Sequence, residues 1–420
     1  MTRSSKASLL IIFATVFIDL LGFGIVLPLL PRYAKHFQAD GYTLGLLMAS
    51  FSAMQFLFAP IWGRMSDRVG RRPILIFGLA GSTVFYALFG IATSLGNDGQ
   101  LLGLGALTWL FIARIGAGIA GATISTAQAY IADTTTPSER TRGMALIGAA
   151  FGIGFTFGPL IGAAFVSAEL GGPPSSAPGY VASGLSAVAL LSAIFVLPES
   201  LRPNSVPSTH HWFDVQILIR TMTRPALGLI LFTIFLTTFA FAQFESTLAL
   251  LTEHLGLAER NNFFVFAYVG FILTVSQGLV RRVLWKLGEL RMGALGAFLM
   301  ALGLGLIALS SQQESCRLLY AVLPISVLGS AALTPALQSL LSQRSSASAQ
   351  GAMLGLGQSM SAMARILGPV AGMMLYERDV TYPYWGGAAL MAAGIVLMIL
   401  LRIAWSSAED ADEMVKPEDV

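Results

Sequence analysis

The chain has 420 residues, 55% of them hydrophobic and only 11% charged, with a formal net charge of +3. A soluble domain carries about 25% charged residues to solvate its surface, so this composition excludes an ordinary water-soluble globule and points to a surface that meets lipid. The small, dispersed charge offers nothing to nucleic acid, and the one cysteine, Cys316, excludes a disulfide framework or a multi-cysteine metal site.

Apolar sequence begins near Ala7 and runs to Leu30. It is too long for the core of a signal peptide and lacks a small-residue cleavage site, so it is expected as a first membrane span. Crossing the hydrocarbon core takes about 20 apolar residues. Such stretches predict helical spans at 8–30, 43–63, 73–94, 104–131, 143–166, 179–198, 225–250, 262–283, 291–310, 317–341, 351–375 and 383–404. Helices satisfy their own backbone hydrogen bonds in lipid, and the 44 glycines suit helices whose backbones approach closely. The expected fold is an all-α membrane protein of twelve transmembrane helices.

Basic residues set the orientation. Arg64, Arg68, Arg71, Arg72, Arg140, Arg142, Arg281, Arg282, Lys286 and Arg291 fall on one side of the membrane, Arg32, Lys35, Arg260, Arg317 and Arg378 on the other, and Arg114 and Arg365 within spans. The bias puts both termini in the cytoplasm. The longest cytoplasmic connection, 199–224, joins spans six and seven; Trp212 to Met222 reads equally as an interfacial helix or a plain linker. His210 and His211 there are a weak metal signal, read as solvated, and no metal site is expected. Residues 405–420 form an acidic, polar tail expected to be disordered.

The halves 1–198 and 225–404 resemble each other. Span five carries Gly158-Pro159 and then Gly162; span eleven carries Gly368-Pro369 and then Gly372, an offset of 210 residues at which Gln128 also maps onto Gln338. Repeats of this kind mark transporters with a substrate site between two pseudo-symmetric six-helix bundles.

The stretch after span two reads Gly63-Arg-Met-Ser-Asp67-Arg-Val-Gly70-Arg71-Arg72-Pro73, a glycine for a tight turn, an aspartate at a helix end and arginines at the membrane surface. Span one carries Asp19-Leu-Leu-Gly-Phe-Gly-Ile-Val-Leu-Pro28-Leu-Leu-Pro31, span four Arg114-Ile-Gly-Ala-Gly-Ile-Ala-Gly121, and span five Gly148 through Gly158-Pro159. In this order the motifs resemble the major facilitator superfamily, specifically its twelve-span drug/proton antiporters. Met54 to Pro60, Gly121-Ala-Thr and Ala129-Tyr-Ile-Ala-Asp133 sharpen the likeness to tetracycline/proton antiporters. It is dense from span one to span five and weak in the second half, where Arg281–Arg291 keeps positive charge without the glycine–aspartate pattern. It also has a departure. The span-three acid of the tetracycline pumps aligns with Phe85, and 293–310 of span nine contains no acid, so coupling or cargo should differ from theirs.

Charges inside a membrane are costly and usually functional. Asp19, near the midplane, is a candidate for proton or substrate work or for an ion pair with Arg114. The resemblance associates Arg114 with proton coupling, and an arginine can tune a neighbouring acid without deprotonating. Glu245, in span seven, is a second protonation candidate or an ordinary interfacial glutamate. Arg365 lies roughly 22 Å into span eleven at 1.5 Å per residue, where it either meets an anionic or zwitterionic substrate or pairs with Glu245. Gln55, Gln243, Gln277 and Gln358 are expected to face inward, because a lipid-facing amide is unsatisfied. Phe51, Met54, Phe155, Met360 and Met363 are candidates for an adaptable apolar wall.

By the family's logic Gly63, Asp67, Gly70, Arg71, Arg72 and Asp133 form an inner gate, with Asp67 capping span eleven and Arg71 pairing Asp133; the bland alternative is topological anchoring alone. Gly158 and Pro159 let span five bend and pack closely, a signature the resemblance ties to antiporters. The expected activity is proton-driven export of an amphipathic, tetracycline-like compound by a monomer in the bacterial inner membrane, with transport of an organic anion or metabolite as the alternative. The sequence has no Walker phosphate loop, metal-ligand cluster or nucleophile motif, so neither an enzyme nor any cofactor beyond the proton gradient is expected.

Overall fold

The computed structural model describes residues 3–135, 137–169, 173–201, 225–282, 284–343 and 350–414. The linker from 202 to 224, with its possible interfacial helix, and residues 344–349 lie outside the described residues. Among those described, ten helices are long and apolar enough to cross a membrane. Span five (Pro137–Gly162) and span eleven (Gln350–Arg378) complete the twelve.

Local chemistry explains where the helices start, stop and break. Span one bends where Pro28 and Pro31 interrupt it, dividing Arg3–Val26 from Leu30–His36. Span two (Gly41–Val69) begins on Asp40, whose side chain accepts from the Thr43 amide at 2.8 Å. Hydrogen bonds from the Thr43 hydroxyl and amide hold the Asp40 carboxyl below the usual carboxylate range. Span three (Arg71–Ser94) follows after a single residue, Gly70 at φ 116°, a left-handed region that favours glycine. The sequence reading put the turn at Gly63. The structure corrects this: Gly63 through Val69 continue the helix, because a polar helical turn is stable beyond the apolar stretch that hydropathy detects.

Span four breaks between Gly121 and Ile124, giving Ala106–Gly121 and Ile124–Thr134. A short antiparallel hairpin, β1 (Gln100–Leu101) and β2 (Leu104–Gly105), precedes it, and Leu102 and Gly103 both take positive φ in its turn. The remaining spans are six (Ala177–Val196), seven (Pro225–His254), eight (Glu259–Arg282), nine (Glu289–Gln312), ten (Cys316–Gln343) and twelve (Tyr382–Met414). Span twelve runs into the segment expected as a disordered tail. A helix already nucleated in the membrane propagates at little cost through Ala, Glu and Met.

The chain divides into two units. The first comprises residues 1–210, Ser246–Thr274 and Pro369–Glu377; the second comprises residues 211–245, Val275–Gly368 and 378–420. In the first unit span one packs on spans five and six, and span three on spans four and six. In the second, span nine packs on spans ten and twelve, repeating the span-three pattern six helices later. Glycines set the closest approaches. A Cβ at Gly158 would lie 2.8 Å from the Leu21 carbonyl and 2.9 Å from Gly24 Cα, and one at Gly368 would lie 2.8 Å from Ala242 Cβ. Gly158 thus joins span five to span one, and its counterpart joins span eleven to span seven.

Candidate functional site

In the first unit four spans meet around Asp19. The Ser186 hydroxyl of span six donates to Asp19 Oδ1 at 3.3 Å, and Ser82 of span three also hydrogen-bonds the carboxylate. Gly22, one helical turn on, leaves room for the Tyr86 ring and Ser186 Oγ, which a Cβ would approach to 3.0 and 3.4 Å. Tyr86 interacts electrostatically with both Asp19 and Arg114. Arg114 is 3% exposed and lies over the Phe51 ring, 4.4 Å from its centroid. The alternative reading of Asp19, an ion pair with Arg114, is not formed among the described residues. Serines hold the acid, a phenol stands between, and a ring carries the guanidinium.

An aromatic wall continues from there. Phe51 packs on Phe23 with centroids 5.0 Å apart, and Phe23 meets Phe155 edge-on at 5.7 Å. Phe155 also packs against the apolar core of the first unit. Phe85 lays its ring against Gly116 of span four, two residues from Arg114.

The Gln55 amide, expected to face inward, donates to the Gly121 carbonyl at 3.2 Å. That carbonyl sits at the break in span four, where helical acceptors lose their usual partners. Trp62 Nε1 to the Ile119 carbonyl, at 2.7 Å, does the same a half-turn earlier.

In the second unit Gln243 is buried and Glu245 half-buried on span seven, while Gln358 and Arg365 are exposed on span eleven. Arg365 is the electrostatic neighbour of Glu245, yet no ion pair joins them among the described residues. The arrangement leaves the guanidinium open rather than tied.

The loop between spans two and three is the most highly connected polar site. Arg71, 7% exposed, forms an ion pair with Asp67 and donates from Nε to Asp133 Oδ2 at 3.0 Å and from Nη1 to Ser66 Oγ at 2.6 Å. The expected Arg71–Asp133 pairing is present. Asp67 serves Arg71; the residues ahead of span eleven that it was expected to cap lie outside the described ones. Gly63 has space around it, the nearest atom to an added Cβ being Ser125 Oγ at 3.8 Å.

Sequence reasoning missed Glu199, counted only as the first linker residue. Its carboxylate accepts from the amides of Arg71 at 2.9 Å and Arg72 at 3.1 Å, capping span three, and Ser200 beside it donates to Asp133 at 3.3 Å. Arg72 also reaches the Ile194 carbonyl of span six. Replacing Glu199 with alanine should cost about 1 kcal/mol, the usual value of an N-terminal cap. The expected result is a thermal midpoint about 1–2 °C lower; an unchanged midpoint would show that the cap is idle.

Also missed was Arg32, read as an ordinary surface charge. It donates to the Ala249 carbonyl at 3.0 Å, Thr252 Oγ1 at 2.8 Å and the Leu257 carbonyl at 3.1 Å. Thr252 in turn donates to Asn262 Oδ1 at 2.7 Å, and Asn262 donates to the Pro28 carbonyl at 3.1 Å. The end of span one is thereby tied to the turn between spans seven and eight. Only the unusual Pro28–Pro31 break hinted at it in the sequence.

Twelve apolar helices with recurring packing, a partly buried acid and a buried arginine inside the bundle, and an ion-paired loop between spans two and three define a multi-pass membrane transport protein. Residues 12–369 match the family model of the Major Facilitator Superfamily. The chain belongs to that superfamily, and its fold is the superfamily's two pseudo-symmetric six-helix bundles. It is 32% identical over 426 residues to the class E tetracycline resistance protein of Escherichia coli, covering 96% of this chain and 95% of that one. It is 26% identical to multidrug resistance protein 2 of Bacillus subtilis, over 95% and 96% of the two chains. Among solved structures, the human organic anion transporter MFSD10 superposes with TM-score 0.67 at 24% identity, covering 94% of this chain and 99% of that one. A D-xylose–proton symporter gives TM-score 0.73 at 17% identity over 93% and 96%. These two likenesses bear on the fold.

Proposed function

We propose that this protein exports amphipathic drugs such as tetracycline-like compounds in exchange for protons, by alternating access of its two halves. The observation that carries the reading is the similarity, over nearly the whole chain, to tetracycline and multidrug resistance proteins. The geometry supports it with a partly buried acid, Asp19, hydrogen-bonded by Ser186, on the span that also carries Phe23 of the aromatic wall. Protons would move through Asp19, with Glu245 a second site and Arg114 setting the local field. Arg71 with Asp67 and Asp133 would close the inner gate. The halves would be residues 1–198 and 225–404, joined by a cytoplasmic linker at 199–224 and followed by a tail at 405–420. Both termini would lie in the cytoplasm of a bacterial cell, with the protein acting as a monomer in the inner membrane and needing no cofactor beyond the proton gradient.

A second reading, transport of an organic anion or metabolite, is favoured by the open Arg365 and by Phe85 standing where the tetracycline pumps carry an acid. Inverted membrane vesicles separate the readings. An acid interior should drive tetracycline into vesicles bearing the protein, and a protonophore should stop it. Uptake of organic anions without tetracycline uptake would favour the second reading.

A further inference from the structure

Among the described residues Arg114 has no counter-ion. It is 3% exposed, and its Nε and Nη1 are buried with no hydrogen-bond acceptor. A guanidinium keeps its charge in proteins, and a buried charge lacking a partner is strongly destabilising. One face of the group is satisfied by the Phe51 ring at 4.4 Å. Nε and Nη1 have no acceptor among the described residues. The nearby acid does not serve it, because Asp19 is held by Ser82 and Ser186, and Phe85 stands where a second acid could have been.

From this geometry we infer that Arg114 is the anion-recognition residue of a substrate subsite in the first six-helix half. The ligand class is an aromatic or polycyclic amphipath bearing a carboxylate or enolate oxygen. The anionic oxygens accept charge-assisted hydrogen bonds from the Nε–H and Nη1–H groups. The apolar body lies along Phe51, Phe23 and Phe155, whose rings follow one another at 5.0 and 5.7 Å. Gly118 lets span four approach the Phe51 backbone, an added Cβ lying 2.6 Å from its carbonyl, and so fixes ring and guanidinium together. The inference rests on the transporter reading but gives Arg114 a different task from proton coupling: it selects the charge of the cargo.

The test is equilibrium binding of two fluorescent probes to the purified full-length protein in nanodiscs. Dansylglycine carries an aromatic body and a carboxylate; dansylglycinamide has the same body without the charge. Wild type should bind the acid about ten- to a hundredfold more tightly, the usual value of hydrogen bonds to a charged group. Arg114→Met should remove that preference while leaving the amide's affinity unchanged. Arg114→Lys, which keeps charge and bulk if the methionine variant does not fold, should retain only part of it. Equal binding of both probes to wild type would overturn the subsite and leave drug export standing. A preference that survives Arg114→Met and vanishes in Arg365→Met would also overturn it, assigning the anion to the second half. Wild type binding neither probe, nor tetracycline, would remove the export reading with it.

Discussion

Arg71→Ala should reduce drug transport by more than about tenfold and lower the protein's stability. The side chain is 9% exposed and links two carboxylates, each 28% exposed, with a serine hydroxyl. Breaking a fully buried pair costs about 3–5 kcal/mol; partial exposure of the acids screens some of this, leaving about 2–3 kcal/mol. Asp67 and Asp133 then face each other across the end of the bundle without the cation between them. Arg71→Lys should restore less than half of the activity, because a single ammonium cannot hold both acids and Ser66 from one position. Drug efflux from whole cells, normalised to protein in the membrane, measures both variants. Full transport by Arg71→Ala would reduce the loop to a topological anchor.

Gly158→Val should be nearly as damaging by a different route. Any Cβ at this position meets the Leu21 carbonyl at 2.8 Å and Gly24 Cα at 2.9 Å, both backbone atoms with no rotamer to move aside. Overpacking of this kind costs about 1–3 kcal/mol, and more where backbone must shift. The expected outcome is a loss of folded protein together with a loss of transport from what remains, since span five cannot stay seated on span one. Gly368→Val should behave alike in the second half. Gly184→Ala in span six provides the control, because an added Cβ there meets nothing within 4 Å; its expression and transport should equal wild type. Equal behaviour of Gly158→Val and Gly184→Ala in a monodispersity and efflux assay would contradict the packing argument.

The sequence was informative wherever one dimension carries the signal. Length and apolarity located the spans, since lipid thickness sets both. The Gly158-Pro159 and Gly368-Pro369 repeat marked two of the close helix contacts, since only glycine permits them. The Arg71–Asp133 pairing was legible through the motif order. What could not be read were partnerships across distant spans. Glu199 looked like a linker acid until its carboxylate was found on the first amides of span three. Arg32 looked like a surface charge until the Pro28–Pro31 break carried it onto the turn after span seven. For Asp19 the sequence left proton work and an ion pair with Arg114 both open; the carboxylate takes its hydrogen bonds from Ser82 and Ser186, serines that nothing in hydropathy or spacing connects to it. Nor could the sequence show that the inward amide of Gln55 meets the carbonyl freed at the break in span four.

The central claim is that Asp19 carries the proton exchanged for drug. Its most direct test records proton release from reconstituted protein on adding tetracycline, wild type against Asp19→Asn, with tetracycline exchange between two drug-loaded compartments followed in the same vesicles. The account predicts that wild type releases protons and exchanges drug, while Asp19→Asn exchanges drug without releasing protons. Undiminished proton release by Asp19→Asn would contradict it and move the coupling site to Glu245.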